Sequence, residues 1–193
     1  MVETPSTMLP LGTPMPTFSL TDAVTGKTVT GTDNAGSRAT LVMFICNHCP
    51  FVKHVMDEFG RLANDYLPQG VGIIAINSND KENYPQDAPD RMKELVADKG
   101  WQFPFLFDEN QDVAKIFRAA CTPDFFLFDG ERRLVYRGQL DDSRPGNNIP
   151  VSGKDLRAAL DAVLSGELVP ANQKPSVGCN IKWKPGNEPP YFG

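Results

Sequence analysis

The sequence predicts an α/β domain with a mixed central sheet, helices on both of its faces, an N-terminal hairpin and a C-terminal tail extension. Three observations carry this expectation. Two continuous apolar, β-rich runs, at 40–46 and 71–77, are each followed downstream by a helical pattern, as strands buried on both faces of a parallel sheet read. An Asp129-Gly130 pair between two further apolar runs marks a tight hairpin, which adds antiparallel strands late in the chain. Beyond residue 166 periodicity is lost and five prolines occur, so a tail follows the last helix. The expected divisions are an N-terminal arm over 1–13, a domain over 14–166, and a tail over 167–193 that packs on or near it.

The elements follow in order. Residues 1–15 are rich in Pro and Thr and carry no period. Thr17-Phe18-Ser19-Leu20 alternates as a strand does, Thr25-Gly26-Lys27 supplies a turn, and Thr28-Val29-Thr30 returns as its partner. After the buried run at 40–46, Phe51, Val52, Val55, Met56, Phe59, Leu62, Ala63 and Tyr66 recur with the helical period. Lys53, His54, Asp57, Glu58, Arg61, Asn64 and Asp65 take the polar side of that wheel, and Pro50 suits its first turn. Val71 to Asn77 is the second buried strand, and 78–88 reads as a long polar loop. A helix over 89–99 opens with Pro89, buries Met92, Leu95 and Val96, and stops at Gly100. A short strand is expected at Phe103–Phe107, and a short helix at Asp112–Arg118 with Val113, Ile116 and Phe117 inward. Asp124–Phe128 and Arg133–Arg137 are the hairpin arms. The last helix has Ser152 as expected N-cap, with Asp155 three residues on, and buries Leu156, Ala159, Leu160, Val163 and Leu164 before Gly166.

Composition narrows the partners. The chain has 193 residues, 40% of them hydrophobic and 22% charged, which is ordinary for a soluble domain with a substantial core. A net charge of −5 without a basic cluster argues against nucleic acid as partner. The longest apolar stretch, 41–46, falls far short of the roughly 20 residues that span a bilayer, so no membrane association is expected. The start, Met1 to Thr13, lacks the charged and apolar regions of a signal peptide, and a cytoplasmic location is the expectation.

Four cysteines, Cys46, Cys49, Cys121 and Cys179, are too few for a disulfide scaffold at this length. Cys46-Asn47-His48-Cys49 sits where the strand at 40–46 runs into a helix. A helix N-terminus favours anions, so a thiol there ionises more readily, and the second thiol lies within disulfide reach. This is the layout of a dithiol–disulfide redox centre. His48, if charged, would stabilise the thiolate and make the couple more oxidising; the bland alternative is a solvent-facing histidine. Cys46, His48 and Cys49 would also suit zinc or copper, but a closed zinc site takes four ligands, and Cys121 or Cys179 would have to complete it. No metal or other cofactor is expected. His54 falls on the polar face with no role assigned, and Asp108-Glu109 and Asp141-Asp142 read as loop charges.

These features together resemble the thioredoxin-like superfamily, over residues 14–165. The C-x-x-C lies between strand and helix, Thr122-Pro123 immediately precedes a strand, and a hairpin and terminal helix follow. Pro16-Thr17-Phe18-Ser19-Leu20 and the helix at 89–99 are similar to the redoxin branch, related to alkyl hydroperoxide reductases, thiol-specific antioxidant proteins and ResA/TlpA-type reductases. The resemblance implies a cis Pro123 against the dithiol, with Asn47, His48, Thr122 and Pro123 shaping the site. It implies that Cys46, the more exposed thiol, attacks a disulfide and that the deeper Cys49 resolves the mixed disulfide. Cys121 and Cys179 are possible extra redox cysteines; the tail is expected to fold back and bring Cys179 toward Cys121 or the dithiol. Three departures stand out. Ile45 replaces the usual Trp, the strand before the motif carries no acid, and Met43 stands where related peroxidases place a Thr ahead of the cysteine. With Cys46 also standing three before Cys49, neither cysteine is preceded at that spacing by a hydroxyl.

The implied activity is thiol–disulfide oxidoreduction on a protein disulfide or a small thiol or peroxide substrate, with a reductant such as a thioredoxin or glutathione system, in antioxidant defence and cell redox homeostasis. A peroxiredoxin-like thiol peroxidase is the alternative, and a non-enzymatic metal-binding or redox-sensing module the second.

Overall fold

The computed structural model describes residues 3–192, so the first two residues of the expected arm and the last of the tail lie outside the described residues. The elements are β1 (Glu3–Pro5), β2 (Ser19–Asp22), β3 (Thr28–Thr30), β4 (Ala39–Phe44), α1 (Pro50–Tyr66), β5 (Val71–Asn77), α2 (Pro89–Lys99), β6 (Phe105–Phe107), α3 (Asp112–Phe117), β7 (Cys121–Thr122), β8 (Asp124–Asp129), β9 (Leu134–Gly138), α4 (Lys154–Leu164) and β10 (Val177–Asn180). Seven strands form one mixed sheet in the order β3-β2-β6-β5-β4-β8-β9. Within it β4, β5 and β6 are parallel and the outer pairings are antiparallel.

Alternation along the central strands divides the core into two layers. Leu41, Met43, Ile73, Ala75, Phe125 and Leu127 face α1, α2 and α4. Val42, Phe44, Ile74, Ile76, Phe126 and Phe128 face α3, Leu9 of the arm, and Ile181 and Trp183 of the tail. Such two-sided burial is why β4 and β5 read as unbroken apolar runs. Phe117 is central to the second layer, edge-on to Phe18, Phe44, Phe126 and Phe128 at centroid distances of 5.4–6.1 Å.

Phe44 pairs with Ile76, so β4 and β5 end side by side. The turn carrying Cys46 and Cys49 and the segment 78–88 therefore leave the sheet at one edge, the edge where open α/β sheets build their sites. The arm and tail meet there as well. β10 lies between β1 and β7 in a second, antiparallel sheet of three strands. Among the described residues no helix is long and apolar enough to cross a membrane.

Several expectations are corrected. Segment 78–88 is polar but buried at Ser78, Asn79, Asp80 and Asp87, and contains a 3-10 turn, Pro85–Asp87. Ile116 is 48% exposed rather than inward, because α3 buries only Val113, Ala114 and Phe117. Glu58, on the polar side of the α1 wheel, is 2% exposed and held by Arg61 and Arg157. Gly153, not Ser152, is the N-cap of α4; its left-handed φ of +69° turns the chain into the helix, and a Cβ there would meet Glu58 Oε1 at 2.5 Å. Asp108 and Asp141 are buried organisers rather than loop charges. Asp108 accepts from Ser78 Oγ and from the N–H groups of Val113 and Ala114 at the start of α3. Asp141 accepts from the N–H groups of Ser143, Ser152 and Gly153 ahead of α4. His54 is exposed as expected, yet its Nε2 pairs with Ser143 Oγ at 2.7 Å.

Candidate active site

Cys49 is the N-cap of α1, with Pro50 in the first turn, and Cys46 stands one turn of chain before it. The Thr122–Pro123 bond is cis and closes over the pair. The Thr122 hydroxyl lies 3.5 Å from Cys46 Sγ, and the Thr122 carbonyl accepts from a protonated Cys49 thiol at 3.3 Å.

Both sulfurs are fully buried, which corrects the expectation that Cys46 is the exposed one. The reason is the 78–88 segment. Asp87, itself fully buried, accepts from the Asn47 N–H at 2.7 Å and from Asn79 Nδ2 at 2.8 Å, and its other contact is a short one with His48 Nδ1. Asn47 Nδ2 donates to the Gln86 carbonyl at 3.1 Å. The turn between the cysteines is thereby fastened onto segment 85–88. His48, with 21% of its side chain exposed, stacks on Tyr84 at 5.5 Å, and Lys182 of the tail lies over the other ring at 5.8 Å.

The two thiols titrate as a pair, and geometry decides where the charge rests. Cys49 is drawn down from its ordinary value to about 5, first by the hydrogen bond from the Cys46 thiol and then by those from Cys179, the Val52 N–H and Thr122, against the opposing effect of burial. Cys46 is pushed well up by burial, its hydrogen bond to Cys49 and the Asp87 carboxylate. Within the pair, the hydrogen bonds and the helix N-terminus favour the charge on Cys49, whereas burial and Asp87 disfavour it on Cys46, the sulfur that the resemblance makes the attacking one.

The strand before the motif carries no acid, and two buried acids come to the site from elsewhere. Asp87 comes from segment 78–88. Asp124, the residue after Pro123, is fully buried; burial pushes its carboxyl well above the usual range, toward the neutral form, against the opposing effect of the Ala120 and Phe125 N–H groups. No sequence spacing announces either residue. Asp87 is legible only as an acid in a loop leaving the carboxyl end of a parallel strand.

Cys121 and Cys179 take different places. Cys121 is fully buried and its thiol is directed at the Pro123 carbonyl, 3.7 Å away. Cys179 lies opposite Thr122 in the β10–β7 pair, and burial followed by the neighbouring Cys49 pushes its thiol up to about 12. For a metal, Cys46, His48 and Asp87 present ligand atoms within 4.8 Å of one another, so Asp87 stands where the sequence reading placed Cys49. That is one ligand short of a closed zinc site.

A dithiol at a strand–helix junction under a cis-proline loop, in a four-helix mixed-sheet domain, defines the thioredoxin-like class. The thioredoxin domain of a thiol-disulfide oxidoreductase from Bacteroides vulgatus shares this fold, with a TM-score of 0.56 and 18% identity over 67% of this chain and 88% of that one. The family model described as Redoxin matches residues 10–156, and the chain belongs to the Redoxin family. An uncharacterized conserved protein from Geobacillus kaustophilus is 57% identical, with a TM-score of 0.94 over 96% of this chain and 98% of that one. The thiol-disulfide oxidoreductase ResA of Halalkalibacterium halodurans is 26% identical over 98 residues, 51% of this chain and 52% of that protein. The chain thus spans about half the length of the curated relative it matches.

Proposed function

We propose that this redoxin is a thiol–disulfide oxidoreductase working through Cys46 and Cys49. The observation that carries the reading is the pair of thiols at the N-terminus of α1, both set against Thr122 ahead of the cis Pro123. The name of the Halalkalibacterium relative supports the same chemistry.

The arrangement suggests a sequence of steps. Cys46 passes its proton to the neighbouring Cys49 thiolate and attacks the substrate disulfide, forming a mixed disulfide and expelling one substrate sulfur as thiolate. That thiolate takes the proton from Cys49. Cys49 then attacks the Cys46 sulfur, closing the intramolecular disulfide and releasing the second substrate sulfur. Two electrons pass from the dithiol to the substrate. His48, oriented by Asp87 much as an acid orients a catalytic imidazole, stands beside Cys46 to hold or move the proton.

The cleft beside Pro123, lined by residues including Phe51, Val177 and Arg144, has a volume of about 20 Å³. Neither sulfur lines that cleft and both are fully buried, so a protein disulfide reaches Cys46 when the Asn47–His48 turn parts from the 85–88 segment that holds it.

Insulin reduction by dithiothreitol, measured on wild type and Cys46→Ser, tests the reading. Turnover should fall by about two orders of magnitude or more in the variant. Turnover that survives would overturn Cys46 as the attacking sulfur. Asp87→Asn should slow turnover roughly 10²-fold and alter the shape of its pH profile; an unchanged profile would leave Asp87 a purely structural residue. The peroxidase alternative has one observation in its favour, the Thr122 hydroxyl 3.5 Å from Cys46 Sγ, which supplies from another strand the group absent from the motif. Coupled peroxide consumption on the same two proteins decides between the activities.

A further inference from the structure

We propose that Cys179 is a third redox cysteine, which takes over Cys49 from Cys46 by internal thiol–disulfide exchange and so parks the oxidised state beneath the tail. The inference rests on the dithiol reading, since a disulfide must first form between Cys46 and Cys49.

The placement is built by the fold. β10 pairs with β7 so that Cys179 faces Thr122, the residue that also touches both sulfurs of the C-x-x-C. Gly178 permits this approach: a Cβ there would sit 2.0 Å from the Thr122 carbonyl oxygen, so only glycine lets the tail strand lie this close. On its other side β10 pairs with β1, Cys179 opposite Glu3, so the strand is held from two sides. The tail past it is anchored as well. Lys182 N–H donates to Asn79 Oδ1 at 2.9 Å, and Gln111 Nε2 donates to the Lys182 carbonyl at 2.9 Å.

Three sulfurs result, with Cys49 in the middle. Thr122 holds them together: its hydroxyl lies 3.5 Å from Cys46 Sγ, its carbonyl accepts from the Cys49 thiol at 3.3 Å, and its partner across the β10–β7 pair is Cys179. Cys179 shares the helix N-terminus with Cys49, since the Phe51 N–H bears on Cys179 and the Val52 N–H on Cys49. Cys179 is 3% exposed, so its natural reaction partner is the neighbouring sulfur rather than a reagent in solution. Cys121, directed at the Pro123 carbonyl, is not part of the chain of three.

The step balances without an added oxidant. Cys179 loses its proton and its sulfur attacks Cys49 Sγ. The Cys46–Cys49 bond breaks, the Cys49–Cys179 bond forms, and Cys46 leaves as a thiolate that takes the proton. No electrons are gained or lost overall. Cys46 is regenerated as a thiol, and β10 is joined covalently to the start of α1.

The test oxidises the full chain with equimolar oxidised glutathione, quenches with acid, and maps disulfides in wild type, Cys46→Ser and Cys46→Ser/Cys179→Ser by mass spectrometry of unreduced peptides. The proposal expects both Cys46–Cys49 and Cys49–Cys179 linkages in wild type. It expects a Cys49–Cys179 linkage with little retained glutathione in Cys46→Ser, and glutathione trapped on Cys49 in the double variant. If wild type forms Cys46–Cys49 alone and Cys46→Ser traps glutathione on Cys49 as the double variant does, the proposal fails while the dithiol reading stands. If wild type forms no Cys46–Cys49 linkage, the dithiol reading fails and the proposal with it. The wild-type map does not depend on any variant folding.

Discussion

The chemistry at the residue scale turns on which sulfur holds the charge. The family resemblance makes Cys46 the attacking thiolate, yet the cap position and the Val52 N–H belong to Cys49. Cys46 instead shares its surroundings with an acid, Asp87, that disfavours a second negative charge. A pH titration of thiolate absorbance in the reduced protein should therefore show a first ionisation near pH 5, with thiolate appearing as pH rises through that value. Cys49→Ser should abolish this step, because burial, the leading cause for both remaining thiols, still raises Cys46 and Cys179 without the Cys49 sulfur. A first step that persists in Cys49→Ser would place the thiolate on Cys46. His48 stands out in the sequence by its place between two cysteines, whereas Asp87, which fixes its orientation, does not. Their contact joins two loops that only the pairing of β4 with β5 brings together.

Periodicity at the level of elements reads most clearly where one face is buried and the other wet. The α1 pattern, the α2 start at Pro89 and its stop at Gly100, and the Asp129-Gly130 turn are local signals and stand in the structure where the residues place them. Short strands are less legible. β1, β7 and β10 span two to four residues each and owe their existence to one another rather than to any propensity. Their weak point is Gly178. Gly178→Ala forces a methyl against the Thr122 carbonyl and should lower stability by about 1–3 kcal/mol, read from the urea midpoint, and make the Cys49 thiol easier to alkylate under native conditions. Unchanged alkylation would show that β10 does not shield the dithiol. The Ser152 cap is misread for a related reason: its backbone N–H is already committed to Asp141, and the turn into α4 needs the left-handed backbone of Gly153.

Across the whole molecule, α1 is tied to α4 as well as to the sheet. Glu58 Oε1 and Oε2 accept from Arg157 Nε and Arg61 Nε, each at 2.6 Å, and Arg157 reaches on to Asp65 at 2.8 Å. Glu58 is buried, so leaving two guanidinium groups without its charge should cost about 2–3 kcal/mol in Glu58→Gln, measured by urea unfolding. Asp57→Asn, which breaks the exposed pair with Lys99 on the same helix, should change little. Equal effects of the two would mean that the α1–α4 tie carries no particular weight. Because α1 presents the dithiol from its first turn, the Glu58 variant also asks whether rigidity of that helix matters for turnover.

What the sequence determined by itself was everything governed by local pattern: the buried strands, the long helices, the hairpin and the strand–thiol–helix junction, which together carry the resemblance to the thioredoxin-like class. What only the tertiary structure decided was the company the sulfurs keep. Asp87 reaches His48 across 39 residues of chain, and the Cys179 strand seats itself opposite Thr122. Such contacts depend on which strand ends lie side by side and on how close one backbone may approach another. Residue order along a single segment carries no record of either.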